Sequence, residues 1–179
     1  MSTILLGFAA DPVARFFFPD PAQYLEIGLR FMEAFGGRAF DHGTAYIADG
    51  GKAVALWLPP GISADEETMG TIAEEAIALR PDLAKAAEGV FEGMAKYHPK
   101  EPHWYLPLIA ADPNWIGQGL GAALMKHALA KCDQNGVIAY LESSNPRNIS
   151  LYERHGFRTV GKIQCANSPV LTPMLREPG

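Results

Sequence analysis

The chain has 179 residues, of which 48% are hydrophobic and 20% are charged, and its formal net charge is −5. This size and composition suit one folded domain, and we therefore expect a single domain over residues 1–179. A negative net charge without a basic stripe argues against a nucleic-acid-binding surface.

Helical and β-rich patterns alternate along the chain. Asp49-Gly50-Gly51 between two β-rich runs is a strong hairpin signal, and Ser63 followed by Glu66 is a capping box that predicts a helix start. In chain order we predict helices over residues 3–17 and 21–35, strands over 44–48 and 53–58, helices over 63–80 and 81–97, a strand over 104–111, a helix over 120–132, a strand over 137–143, a helix over 145–155, and strands over 158–166 and 170–176.

The most informative stretch follows the strand predicted over residues 104–111. Asp112-Pro113 leads into a loop with glycine at positions 117, 119 and 121, and an amphipathic helix begins at once. Unpaired backbone N–H groups at a helix start, together with the positive end of the helix dipole and the small size of glycine, make an anion site. The loop predicts a ligand that carries phosphate, and a tight strand-to-helix turn without a ligand is the alternative.

Two common phosphate-binding loops do not fit this stretch. A Walker loop requires Lys and then Ser or Thr after its last glycine, whereas Ala122 and Ala123 follow Gly121. The dinucleotide fingerprint G-x-G-x-x-G has a different spacing from the glycines found here. Nucleotide triphosphate hydrolysis and dinucleotide binding are therefore disfavoured.

A second segment, N-P-R-N-I-S-L-Y-E-R-H-G-F over residues 145–157, changes the interpretation. With the glycine loop it resembles motifs A and B of the GCN5-related N-acetyltransferase (GNAT) superfamily, whose usual patterns are R/Q-x-x-G-x-G/A and N-x-x-A-x-x-L-Y-x-x-x-G-F. The resemblance covers about the C-terminal half of the chain, and the pair of motifs is more specific than either alone. Ile116 stands where the family usually has Arg or Gln, and Asn148 where it usually has alanine.

The resemblance implies an α+β fold, layered as α/β, with a central mixed, mostly antiparallel sheet flanked by helices. The two helices predicted over residues 63–97 are extra to the superfamily's minimal fold, and they either shape substrate access or enlarge the core. The family usually begins with a strand before its first helix, so that strand is absent or displaced here.

The resemblance also implies that acetyl-CoA is the acyl donor, held by the glycine loop and by main-chain groups of a splayed strand. Asn145 has two explanations, because an asparagine before proline is also a good helix N-cap. The implied cofactor-binding residues are Ile109, Ala110, Ala111, Gly117, Gln118, Gly119, Leu120, Gly121, Ala122 and Asn145.

Three residues are candidates for proton transfer. Tyr152 matches the family's tyrosine general acid, a role that suits a phenol facing a thiolate leaving group. Glu142 is the first candidate for the base, because the segment around it resembles puromycin-type N-acetyltransferases, which also carry an acid there. His103 is the second candidate, because an imidazole titrates near neutrality.

Three aromatic residues, Trp57, Trp104 and Tyr105, either line an acceptor pocket or belong to the core. Cys132 and Cys165 form no C-x-x-C pair and no cluster with histidine, so neither a disulfide nor a metal site is expected. The first residues have no basic region and only a short, broken apolar run, which argues against a signal peptide or a membrane span. A cytoplasmic protein with no nucleic-acid or membrane partner is expected.

The function that this sequence predicts is an acetyl-CoA-dependent N-acetyltransferase, monomeric or homodimeric, that acetylates the primary amine of a small molecule by direct attack on the thioester. One alternative is a protein or peptide N-acetyltransferase. The other is a non-catalytic sensor that binds acyl-CoA without turnover.

Overall fold

Helices pack on both faces of one six-stranded sheet in the computed structural model, which describes residues 1–179. The helices are α1 (Ser2–Gly7), α2 (Pro12–Phe17), α3 (Pro21–Gln23), α4 (Leu29–Gly36), α5 (Arg38–Asp41), α6 (Glu66–Leu79), α7 (Ala84–Tyr97), α8 (Leu120–Asn135) and α9 (Ile149–Glu153). The strands are β1 (Ala45–Ala48), β2 (Ala53–Leu58), β3 (His103–Ala111), β4 (Ile138–Ser143), β5 (Arg158–Thr159) and β6 (Thr172–Arg176).

The strand order is β1-β2-β3-β4-β6-β5. Strands β3 and β4 are parallel, and every other neighbouring pair is antiparallel. This topology confirms the expected mixed, mostly antiparallel sheet flanked by helices. The sheet contains no strand before Ala45, so the N-terminal strand usual in the family has no counterpart in this chain.

The alternation of side chains along β2 explains why both faces of the sheet are covered. Leu56 and Leu58 face a core built with α1, α4 and α6, whereas Ala55 and Trp57 face a core built with α8 and α9. Every residue of β2 is buried, as expected for a strand with helices on both sides.

The single helix predicted over residues 3–17 is wrong, because the structure has two helices there, α1 and α2. The break lies at Asp11, whose backbone is extended with φ −71° and ψ 131°. Proline disfavours helical backbone at the residue before it, and Pro12 follows. The Asp11 carboxylate accepts hydrogen bonds from the N–H groups of Val13 and Ala14, which starts the new helix.

The helix α6 begins two residues later than the predicted capping box implied. Asp65 is its N-cap and accepts a hydrogen bond from the Thr68 N–H at 3.2 Å, so the Ser63–Glu66 box is not formed. The Asp65 carboxylate caps the helix in place of the Ser63 hydroxyl.

The C-terminal strand pair is shorter than predicted. β5 contains only Arg158 and Thr159, and beyond it the pairing shrinks to a bridge between Ile163 and Leu171. Pro173 accepts a hydrogen bond from Val160 but has no N–H to return, which interrupts the ladder.

No helix in the structure has the length and hydrophobicity needed to cross a membrane.

Candidate active site

The strands β3 and β4 separate in the middle of the sheet. They pair only where His103, Trp104 and Tyr105 lie beside residues 138–140, and the rest of β3 has no partner on this side. Parallel strands that stop pairing leave main-chain groups free to bond a ligand. The splay that the sequence resemblance implied is present.

Along the part of β3 that has no partner strand, only every second residue directs its main-chain N–H and C=O groups into this gap. The Asp112 N–H donates to the Lys52 carbonyl at 2.8 Å, and Val54 stands opposite Ala110. Because groups alternate along an antiparallel ladder, residues 110 and 112 face β2. The N–H and C=O groups of Ile109 and Ala111 therefore face the gap, whereas those of Ala110 face β2.

The loop after β3 presents a row of unpaired donors. Residues 117–122, which are Gly117, Gln118, Gly119, Leu120, Gly121 and Ala122, donate no backbone hydrogen bond within the protein, and the Ala123 N–H is the first to bond back, to Gly119. The helix α8 that starts here is 16 residues long, so the positive end of its dipole lies at these donors. This arrangement fits a pyrophosphate.

Glycine is required in this loop for backbone reasons. Gly117 has φ +85° and Gly119 has φ +77°, in the left-handed region that side chains disfavour. A Cβ added at either position would meet no protein atom within 4 Å, so the space in front of the loop is open to a ligand. Ile116, at the position where the family usually has Arg or Gln, is 70% exposed.

A cavity of about 160 Å³ begins at the gap between β3 and β4 and extends beneath the N-terminal helices. Ile109, Asn148 and Tyr152 line its end near the glycine loop, and phenylalanine side chains line much of the rest. Of its 27 lining residues, 22 are hydrophobic. The site is therefore an apolar chamber that opens beside the expected position of a thioester.

Glu142 lies on β4 and lines this cavity. Its Oε2 accepts a hydrogen bond from the Tyr105 hydroxyl at 2.7 Å, whereas its Oε1 and the nearby Tyr140 hydroxyl are both buried without a hydrogen bond of standard geometry. Burial raises the pKa of Glu142 to about 7, although the Tyr105 and Tyr140 hydroxyls act in the opposite direction. A carboxylate that titrates near neutrality, with one unpaired oxygen, suits a general base.

Tyr152 lies on α9, is 5% exposed and lines the cavity near the gap. Burial raises its pKa above the ordinary value, and the Asp11 carboxylate adds to that shift. The phenol therefore stays protonated at neutral pH and is available as a donor. Asn145 accepts a hydrogen bond from the Arg147 N–H at 3.1 Å and is the N-cap of the short 3-10 helix, Pro146–Asn148, that precedes α9.

His103 lies at the other end of β3, away from the gap. Its Nδ1 is 2.8 Å from the Glu101 carbonyl oxygen, and its Nε2 is 3.0 Å from Nε2 of His98. Burial and the proximity of His103 lower the pKa of His98 to about 4, so the pair shares one hydrogen bond and does not carry two charges. His103 does not line the cavity.

The aromatic residues singled out in the sequence do not form the pocket wall. Trp57 and Trp104 are buried in the core beneath α8, and Tyr105 acts through its hydrogen bond to Glu142. The aromatic rings that line the cavity belong instead to the helical segments of the chain. Their spacing in the sequence is the same as that of ordinary core residues. The rings that line the cavity are Phe8, Phe17, Phe18, Phe31, Phe35 and Phe91.

The helices α6 and α7 contribute both to the core and to the wall of the cavity. Ile72 and Val90 are buried in the core, with exposures of 1% and 3%. Ala73, Ile77 and Phe91 line the cavity and close it on one side. The inserted helices therefore enlarge the core and wall the pocket.

Asp11 is a site residue that the sequence analysis missed, although Asp before Pro is a recognised helix-start signal. It is 5% exposed and lines the cavity. Its Oδ1 caps α2, and its Oδ2 accepts a hydrogen bond from the Ser144 hydroxyl at 2.6 Å. Asp11 thus fastens the N-terminal helices to the end of β4.

Replacing Asp11 with alanine is expected to destabilise the protein by about 2 kcal/mol, because a helix cap and a charged hydrogen bond are both lost. Asp20 is a matched control, since it caps the next helix through the Gln23 N–H alone and is exposed. Asp20→Ala should cost about 1 kcal/mol or less. Urea unfolding of both variants measures the difference, and equal losses would show that the Ser144 contact contributes nothing.

The chain is similar to known acetyltransferases in sequence and in structure. The profile described as Acetyltransferase (GNAT) family matches residues 62–157, a range that includes the glycine loop, Glu142 and Tyr152. The crystal structure of histone acetyltransferase HPA2 and related acetyltransferase from Corynebacterium glutamicum is similar over 99% of this chain and 88% of that chain, with a TM-score of 0.63 and 25% identity.

Two curated relatives are similar over shorter stretches. An uncharacterized N-acetyltransferase of Schizosaccharomyces pombe is 33% identical over 78 residues, which is 42% of this chain. The ribosomal protein bS18-alanine N-acetyltransferase of Escherichia coli K12 is 44% identical over 52 residues, which is 27% of this chain. The matched stretches span only 32% and 35% of the relatives' own lengths.

Proposed function

Because this chain belongs to the acetyltransferase (GNAT) family and is an N-acetyltransferase of that type, we propose that it transfers the acetyl group of acetyl-CoA to the primary amine of a small molecule. The observation that carries this proposal is the unpaired, buried Oε1 of Glu142 at the gap between β3 and β4. A free carboxylate oxygen in an apolar cavity is suited to receive an ammonium group.

Acetyl-CoA supplies an electrophilic thioester carbonyl and a thiolate leaving group. The backbone donors of residues 117–122 bind its pyrophosphate, and the side of β3 that faces the gap, at Ile109 and Ala111, bonds the pantetheine arm and the thioester oxygen. Ala110 contributes only its small side chain, because its main chain bonds β2. The exposed Ile116 adds no charge, so backbone donors hold the phosphates.

Glu142 is the proposed base. Its Oε1 accepts one proton from the ammonium form of the acceptor and passes it to solvent, which frees the nitrogen lone pair. The nitrogen then forms a bond to the acetyl carbon as the carbon–sulfur bond breaks and the bonding pair leaves on sulfur. Because the pKa of Glu142 is about 7, the carboxylate is the major form above neutrality.

Tyr152 is the proposed acid. Its hydroxyl gives a proton to the departing sulfur, and the excess proton on the new amide nitrogen restores the phenol. The raised pKa of Tyr152 makes transfer to sulfur unfavourable by itself, so the two proton movements must be coupled. The products are an amide, a free thiol and the proton that Glu142 released.

A small acceptor is favoured over a peptide by the shape of the site. The helices α6 and α7 close one side of the cavity, and the lining offers few polar groups for a peptide backbone. The second candidate, N-acetylation of a protein, is supported by the similarity to the ribosomal protein bS18-alanine N-acetyltransferase.

We also propose a cytoplasmic monomer or homodimer, consistent with two free cysteines.

The proposed function is tested by thiol release from acetyl-CoA with a panel of small amines and with peptides that have a free N-terminus. Release that depends on a small amine and yields its amide would support small-molecule acetylation. Release with peptides alone would favour the second candidate. Binding of acetyl-CoA in a thermal-shift assay without release for any amine or peptide would indicate a sensor.

Replacing Tyr152 with phenylalanine is expected to lower kcat about 100-fold, because the leaving thiolate loses its proton donor. The KM for acetyl-CoA should change little, since the pyrophosphate contacts remain. Tyr46→Phe is the matched control, because the Tyr46 hydroxyl is buried, has no hydrogen-bond partner and lies outside the cavity. If Tyr152→Phe turned over at the wild-type rate across pH, the assignment of Tyr152 as the acid would fail.

A further inference from the structure

We propose that the acceptor is a primary amine whose body is one apolar ring, or a branched chain of similar size, held in the phenylalanine-lined part of the cavity with its nitrogen at Glu142. This inference rests on the proposed acetyl transfer and names the class of amine. Its support is the packing, charge and size of the cavity.

The wall of the cavity is a continuous group of aromatic rings. Phe31 lies at its centre, with ring centroids 6.2 Å from Phe18, 5.9 Å from Phe35 and 6.3 Å from Phe91. Phe35 in turn lies 5.9 Å from Tyr105, edge to face. Since Tyr105 donates to Glu142, the ring group leads directly to the proposed base.

Offset and edge-on ring contacts at these distances are the geometry in which aromatic groups attract one another. A further ring entering the cavity would meet the same surfaces on several sides. The wall therefore favours an aromatic or compact aliphatic body over a polar one.

The charged residues that line the cavity are two carboxylates, Asp11 and Glu142. Both oxygens of Asp11 accept hydrogen bonds, from Val13, Ala14 and Ser144, and the side chain thereby caps a helix. The Oε1 of Glu142 makes no such bond, so it is the oxygen that we assign to the acceptor ammonium.

The size of the cavity suits a compact acceptor. Its volume of about 160 Å³ is close to that of an apolar protein cavity of about 150 Å³ that holds one benzene molecule. A single ring on a short alkyl chain fits this space. A peptide needs main-chain partners that the apolar wall does not offer.

The test is a comparison of kcat/KM for acetyl transfer to 2-phenylethylamine, spermidine and an alanine-initiated tripeptide. We expect 2-phenylethylamine to exceed spermidine and the tripeptide by about 100-fold or more, because both would place polar groups against the phenylalanine wall. Calorimetric binding of 2-phenylethylamine to the CoA-bound protein provides a readout independent of turnover.

A carboxylate placed in the ring group should alter this preference. Phe91 is 36% exposed and lines the cavity, so Phe91→Asp is expected to lower kcat/KM for 2-phenylethylamine about tenfold and to raise it for 1,4-diaminobutane. Phe40→Asp is the matched control, because Phe40 is 51% exposed and lies outside the cavity. Thermal unfolding of both variants confirms that they are folded.

The outcomes separate this inference from the proposed function. Acetylation of spermidine or the tripeptide in preference to 2-phenylethylamine would overturn the inference and leave N-acetyl transfer intact. The inference would also fail if Phe91→Asp and Phe40→Asp had the same acceptor preference. Absence of acetylation of every amine would overturn both.

Discussion

Replacing Glu142 with glutamine is expected to lower kcat/KM for acetyl transfer about 100- to 1,000-fold, the range typical for loss of a general base. In the wild type, kcat/KM should rise with pH through about 7 as the Glu142 carboxylate forms. The variant should lose this rise and keep only the dependence that comes from the acceptor amine itself. Steady-state rates of thiol release across pH provide the measurement.

Loss of folding would not account for the lower kcat/KM of Glu142→Gln, because at high pH this variant should be more stable than the wild type. The pKa of Glu142 is raised from 4.5 to about 7 in the folded protein, so its contribution to stability is present below 4.5 and is lost as pH rises through about 7. Glutamine does not ionise and can still accept the Tyr105 hydrogen bond. The difference in free energy of unfolding between Glu142→Gln and the wild type should therefore shift in favour of the variant by about 2 kcal/mol between about pH 5 and about pH 8.

Two controls sharpen this prediction. Glu153→Gln removes an exposed carboxylate from α9 that does not line the cavity, and it should leave the pH profile unchanged. His103→Asn tests the other base considered from the sequence, and its profile should retain the rise near 7. A Glu142→Gln enzyme with the wild-type profile would contradict the role of Glu142, and loss of the rise in His103→Asn would transfer that role to the histidine pair.

Replacing Gly119 with alanine is expected to weaken acetyl-CoA binding about tenfold or more, which corresponds to about 1.4 kcal/mol. Gly119 has φ +77° and stands among the unpaired backbone donors of residues 117–122. A methyl group there disfavours the backbone conformation and occupies open space in front of the loop, where a phosphate must approach. Isothermal titration with acetyl-CoA measures the affinity.

Gly136→Ala is the matched control. Gly136 ends the same helix, has φ +63° and has no neighbouring atom that a Cβ would meet, so the backbone cost should be similar, about 1–2 kcal/mol. Both variants should therefore lose comparable stability, and only Gly119→Ala should lose affinity. Equal affinity for acetyl-CoA in the two variants would contradict the role of the glycine loop.

The glycine loop could be predicted from the sequence because its geometry is local. Glycines at positions 117 and 119 followed by an apolar helical pattern encode both the left-handed backbone and the unpaired donors at the start of α8. The splay of β3 was implied by resemblance, and the structure has it. Its physical basis, the loss of pairing after Tyr105, depends on strands distant in the chain.

The acceptor cavity could not be predicted in the same way. Phe31 and Phe91 lie on helices whose apolar faces have the spacing of ordinary core residues, and nothing local marks them as pocket residues. The properties of Glu142 likewise depend on Tyr105, 37 residues earlier, and on the burial that the whole fold produces. Contacts between segments distant in sequence determine the acceptor side, whereas local sequence determines the donor side.

The most direct test of acetyl transfer at this site uses acetyl-CoA labelled with ¹³C in the acetyl group and the best amine of the panel. Mass spectrometry then compares the labelled amide with the free thiol released in the same reaction. We predict equimolar amide and thiol with the wild type and a large loss of both with Glu142→Gln. Thiol without amide, or no amide from any amine while acetyl-CoA binds normally, would contradict the proposed acetyltransferase function.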